Sequence, residues 1–155
     1  MAPTTFTFRT ATAADVPHIE ACVQQAYQHY IERIGAPPGP MLDDYAAVVR
    51  DHQVFVAESA DGEFAGLLVL IPQEGTMLLD NVAVHPDFQG MGLGKRLMQK
   101  AEKETMVQGF DSIILYTHEL MVENRAIYKK ARYAETHRVF EKGLNRVYMR
   151  KKLTQ

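Results

Sequence analysis

The sequence predicts an α/β fold: a mixed, mostly antiparallel sheet with a central parallel βαβ unit and helices on both faces. Three observations predict it. Residues 54–58, 64–71 and 76–84 are apolar strand-like runs separated by A-D-G-E and P-Q-E-G, two successive hairpin turns that make an antiparallel meander. Residues 82–117 then run strand, glycine-rich turn, helix and strand, a crossover that makes the flanking strands parallel. Residues 133–140 and 144–151, joined by K-G-L-N, form a closing hairpin.

Each element follows from its own pattern. The opening strand is residues 6–9, with Phe6 and Phe8 on one face. Thr12 and Asp15 have capping-box spacing, and Pro17 suits a first helical turn. From there Val16, Ile19, Val23, Ala26, Tyr27, Tyr30 and Ile34 recur at helical spacing. G-A-P-P-G-P, residues 35–40, reads as a loop, and residues 41–50 as a second short helix. After the meander, a helix over 92–108 turns Leu93, Leu97, Met98 and Ala101 inward and stops at Gly109, a residue suited to a left-handed cap. Ile113, Ile114 and Leu115 mark a buried strand at 112–117, and a short helix covers 123–131.

Composition excludes several function classes. The 155 residues match one domain, 1–155, with 46% hydrophobic and 23% charged residues, enough to bury a core. Seventeen basic and 19 acidic residues give a net charge of −2, so no general attraction to nucleic acid or an anionic membrane is expected. Arg146, Arg150, Lys151 and Lys152 cluster near the end, as on a solvated strand. The lone cysteine, Cys22, can form no intramolecular disulfide and reads as an inert core thiol. M-A-P-T-T-F-T-F lacks a signal-peptide pattern, and the longest apolar run, 65–71, is far too short for a membrane span, so a cytoplasmic location is expected. The six histidines, at 18, 29, 52, 85, 118 and 137, have no metal-ligand spacing, and no metal is expected.

The chemistry concentrates in V-A-V-H-P-D-F-Q-G-M-G-L-G-K-R-L-M, residues 82–98. Gly90, Gly92 and Gly94 lie between a strand and a helix, where side-chain-free backbone and a helix N-terminus can converge amide N–H groups on a pyrophosphate. Lys95 and Arg96 could add charge there. A Walker P-loop fails, because Gly94-Lys95 is followed by Arg96 and Gln89 stands where its first glycine belongs. A dinucleotide fingerprint fails too, since starts at Gly90 and Gly92 meet Lys95 and Leu97 at the third glycine.

Gln89, Gly92 and Gly94 after V-A-V-H-P instead form Q-x-x-G-x-G, and this segment resembles the GNAT superfamily of N-acetyltransferases, as does the order of elements along nearly the whole chain. The resemblance implies a GNAT-like fold and acetyl-CoA as co-substrate. The pyrophosphate would lie against Gln89, Gly90, Met91, Gly92, Leu93, Gly94 and Lys95, and the pantetheine arm would pair with Val82, Ala83 and Val84 where the parallel strands splay. E-N-R-A-I-Y-K-K-A-R-Y, residues 123–133, resembles the family's later motif, in which Tyr128 would protonate the departing thiolate. Asn124, one turn earlier, would face the cofactor arm or else cap the helix. Two departures stand out: Arg132 replaces a glycine, and Met121 occupies a frequent asparagine position.

For the acceptor, the resemblance implies a carboxylate on the third meander strand. Asp80 takes that place, as general base, as substrate anchor or as a buried structural partner, on the same face as Leu78 and Val82 by strand alternation. His118 and Glu119 stand in reserve. Tyr27, Tyr30 and Ile34, the 35–40 loop and residues 137–146 would wall the acceptor pocket. The expected activity is direct acetyl transfer to a small-molecule or peptide amine in a ternary complex. The alternative is a non-catalytic CoA-binding or sensor module, and a homodimer is the expected assembly.

Overall fold

The computed structural model describes residues 5–141 and 143–154. Its sheet has seven strands in the order β1-β2-β3-β4-β5-β7-β6: β1 Phe6–Thr10, β2 Gln53–Ser59, β3 Phe64–Gln73, β4 Thr76–Val84, β5 Ser112–His118, β6 Ala134–Glu141 and β7 Leu144–Lys152. Only β4 and β5 pair in parallel; every other neighbouring pair is antiparallel. The β3–β4 turn is tighter than P-Q-E-G suggests, because Gln73 pairs with Thr76 and only Glu74 and Gly75 turn. In the expected K-G-L-N turn, Lys142 lies outside the described residues, and Leu144 already pairs with Glu141.

Helices cover both faces. On one lie α1 Val16–Tyr27, α2 Tyr30–Ile34 and α3 Tyr45–Asp51, whose Ile19, Cys22, Val23, Tyr27, Tyr30 and Tyr45 bury against Val54, Leu67, Val69 and Ala83. On the other, α4 Leu93–Val107 drives Leu93, Leu97, Met98 and Ala101 into Leu68, Leu70, Met77, Leu79, Ile113 and Leu115. From α5, Val122–Lys130, Tyr128 packs against that second core.

Three local readings change. The long first helix is interrupted at Gln28 and His29, both still helical in dihedral angle, so the apolar period survives the break. The 41–50 helix splits into a 3₁₀ turn, Gly39–Leu42, and α3, because Asp44 leaves the helical conformation and caps α3 by accepting from the Ala46 and Ala47 amides. After α5, Arg132 takes the left-handed conformation itself, at φ 75°. Its N–H donates to the Lys129 carbonyl and that of Tyr133 to the Tyr128 carbonyl, a Schellman cap built without glycine.

At the start of α1, the Asp15 carboxylate accepts from the Thr12 amide at 2.7 Å and from two Arg9 nitrogens at 2.8 and 2.7 Å. The Arg9 guanidinium holds its pKa down to about 2.

Candidate active site

Strands β4 and β5 pair at only three positions, Met77 with Ile113, Leu78 with Ile114 and Leu79 with Leu115. Beyond them the strands diverge, and two cavities open around the gap. The first runs from the glycine turn to α5 and is lined by Val82, Ala83, Val84, Gln89, Gly90, Gly92, Leu93, Gly94, Asn124 and Tyr128, with Tyr27 and Tyr30 opposite. Gly90 and Gly92 both sit at φ 80°, a region costly for any side chain. Gly92 caps α4, so the turn and the amides of that helix's first turn meet at the cavity. Met91 and Lys95, in the same turn, have exposed side chains and do not line the cavity.

Gly66 on β3, which sequence reasoning missed, fixes this wall. A Cβ there would stand 2.7 Å from the Ala83 carbonyl oxygen and 3.3 Å from both Leu93 and Leu97, so only glycine lets β4 and α4 pack this closely.

The second cavity lies on the other side of the gap. Its lining includes Asp80, Asn81, Tyr116, Thr117, His118 and Arg146, under a roof of Pro38, Gly39 and Pro40. A β-bulge shapes it: Val69 pairs with Asn81 but the next residue, Leu70, pairs with Leu79, leaving Asp80 as the extra residue. Alternation therefore resets within β4. Asp80 does not share a face with Val82, which packs against the α4 core; it turns with Asn81 toward the α1–α3 side. Tyr116 donates to Asp80 Oδ1 at 3.3 Å. Asn81, buried, accepts from the Tyr27 hydroxyl at 2.8 Å and donates to the Tyr45 oxygen at 2.9 Å. The Tyr45 hydroxyl in turn donates to the Pro40 carbonyl, tying the roof to the strand.

Tyr27, Val82, Asn124 and Tyr128 line both cavities. Burial and, secondarily, Tyr30 push the Tyr128 hydroxyl up to about 12, so it keeps its proton at neutral pH. Burial likewise raises Tyr27. Tyr30 lines only the first cavity, where its hydroxyl donates to Glu123, and Ile34 lines neither, being absorbed into the α1–α3 core. His118 belongs to the second cavity, but its Nδ1 already accepts from the Leu120 amide at 3.0 Å and burial lowers its pKa, so it is a neutral donor with no spare lone pair for a base. Glu119 turns away to Arg138, 3.5 Å distant.

A divided parallel strand pair and a glycine-lined helix N-terminus thus lie beside two cavities that share one wall. The family model for the acetyltransferase (GNAT) family matches residues 19–133, and the chain belongs to that family. No curated protein matches it. Among solved structures, a GNAT-family protein from Desulfovibrio desulfuricans superimposes with a TM-score of 0.78 at 19% identity, covering 97% of this chain and 100% of its own. The ribosomal-protein-S18-alanine N-acetyltransferase of Escherichia coli gives 0.76 at 18% identity, covering 97% and 96%. A GNAT family acetyltransferase of Elizabethkingia anophelis, solved with acetyl-CoA bound, gives 0.72 at 17% identity, covering 96% and 98%.

Proposed function

We propose that the chain is an N-acetyltransferase that moves an acetyl group from acetyl-CoA to a primary amine by direct attack while both substrates are bound. The observation that carries this reading is the meeting of the two cavities at Tyr128, with an anion cradle at the far end of one and a carboxylate, Asp80, in the other.

The residues fit the co-substrate. The left-handed Gly90 and Gly92 and the start of α4 supply amide donors for the pyrophosphate. Beyond Leu79, Val82 to Val84 have no β5 partner, an edge suited to an extended amide-bearing arm. Bound acetyl-CoA supplies an activated thioester whose sulfur leaves as a thiolate.

The chain's own groups do the rest. An alkylammonium, with a pKa of roughly 10, must lose a proton before it can attack. Asp80 Oδ atoms receive that proton or hold the amine while water takes it, and the Tyr116 hydroxyl orients the carboxylate. Tyr128 Oη holds the proton that the leaving sulfur requires. Asn124, on the same face of α5, orients the arm beside it. A CoA-binding sensor would need the first cavity alone; the Asp80 pocket opening onto Tyr128 favours the enzyme.

Isothermal titration with acetyl-CoA and CoA tests the donor side. Micromolar binding is expected, and Gly92→Glu, which puts a carboxylate and a strained φ into the cradle, is expected to weaken it at least a hundredfold. No binding by the native chain would overturn the proposal.

A further inference from the structure

The second cavity holds more than the chemistry of a plain amine requires. Arg146 on β7 contributes the only guanidinium or ammonium group among its described lining residues. Its side chain is 12% exposed, a costly position for a permanent charge unless it is paired, and Glu141 pairs it. Tyr116, Glu141 and Tyr148 hold it. The guanidinium lies over the Tyr116 ring with Cζ 4.4 Å from the centroid, and Nη1 donates to Glu141 Oε1 at 3.0 Å, an oxygen that also accepts from the Tyr148 hydroxyl. The bond to Glu141 uses one of five N–H groups. Nη2 lies at the cavity roof, 3.4 Å from where a Cβ on Gly39 would stand.

The same tyrosine therefore carries both signs of charge: Asp80 at its hydroxyl and Arg146 on its ring face. Both groups line the same cavity. His118 adds no competing cation, since it is held neutral. Gly39 of the 35–40 loop and Arg146 of β7 line the same cavity close together.

We infer that the acceptor is a small zwitterion, an amino acid or close analogue, whose carboxylate is bound by Arg146 while its amine is presented to Asp80. This rests on the acceptor side of the proposed function and specifies it. Arg146 acts as a specificity residue and takes no part in proton transfer. The planar fork of arginine suits a carboxylate.

The test compares free α-amino acids with their α-amides, their decarboxylated amines and short peptides, by calorimetric binding with and without CoA and by thiol release from acetyl-CoA. At least one free amino acid is expected to bind, and to be acetylated with a kcat/KM at least tenfold above that of its amide. Arg146→Gln is expected to erase that preference through KM, with acetyl-CoA affinity unchanged; Arg146→Lys should retain part of it. Equal or better use of amides, amines or peptide N-termini would overturn the inference, as would a preference that survives Arg146→Gln or a panel in which no free amino acid binds. Failure of the proposed function has a separate signature, loss of acetyl-CoA binding by the native chain, and the CoA-free calorimetry still reports the acid-over-amide preference.

Discussion

The two cavities are built from different materials. The wall beside α4 is largely backbone: two left-handed glycines, a helix start and a strand edge without a partner, all within residues 82–94. The wall around Asp80 is drawn from six separate segments, joined by hydroxyl-to-amide and hydroxyl-to-carboxylate bonds. A backbone site can be abolished by one Cβ yet is indifferent to most side-chain changes. A side-chain site can be retuned residue by residue, but each member is braced by others, so a single truncation spreads.

Several substitutions would break or sharpen that contrast. The largest expected effect is at the junction: Tyr128→Phe should lower kcat about a hundredfold, with the Kd for acetyl-CoA nearly unchanged, measured by steady-state kinetics and titration. Equal loss in binding and turnover would mean that Tyr128 belongs to the backbone-built cavity alone. Next, Asn81→Ala would strip the buried partner of Tyr27 and Tyr45, costing about 2 kcal/mol in denaturant unfolding and raising acceptor KM more than the acetyl-CoA Kd.

Arg132→Gly tests whether the end of α5 is a source of strain. Relieving φ 75° at a non-glycine residue should stabilise the fold by about 1 kcal/mol and leave the acetyl-CoA Kd as it was. The smallest effect is remote from both cavities. Asp15 has a folded pKa near 2 against 3.8 for the free side chain, so its ion pair contributes fully above pH 4 and is lost as pH falls toward 2. With Arg9 41% exposed and screened, the loss amounts to about 1 kcal/mol, and Asp15→Asn should flatten the acid limb of the unfolding curve in that window.

What the sequence discloses follows the same division. The glycine turn is contiguous, so its residues announce their geometry through spacing alone, and the strand and helix around it follow from period. The second cavity is assembled by topology. Nothing local says that Pro38, Asn81, Tyr116 and Arg146 will meet, because the β7 insertion between β5 and β6 is what brings Arg146 beside Tyr116. The bulge at Asp80 leaves no signature in L-L-D-N-V-A-V, and it takes Asp80 off the face of Val82 where simple alternation had put it. Only the buried asparagine beside an aspartate offered a hint, as two polar residues in an apolar run. Arg132 shows the converse: a residue other than glycine holds the left-handed position that ends α5.

The sulfur of Cys22 bears on the chain's resistance to its own product. Each turnover of the proposed reaction would release a free thiol against the protein surface. Cys22, the only cysteine in the sequence, is fully enclosed by α1 and the sheet, and burial pushes its thiol up to about 12. It offers neither a thiolate nor an accessible sulfur for a mixed disulfide with CoA, so changes in redox poise that scramble thiols elsewhere should leave the folded chain untouched.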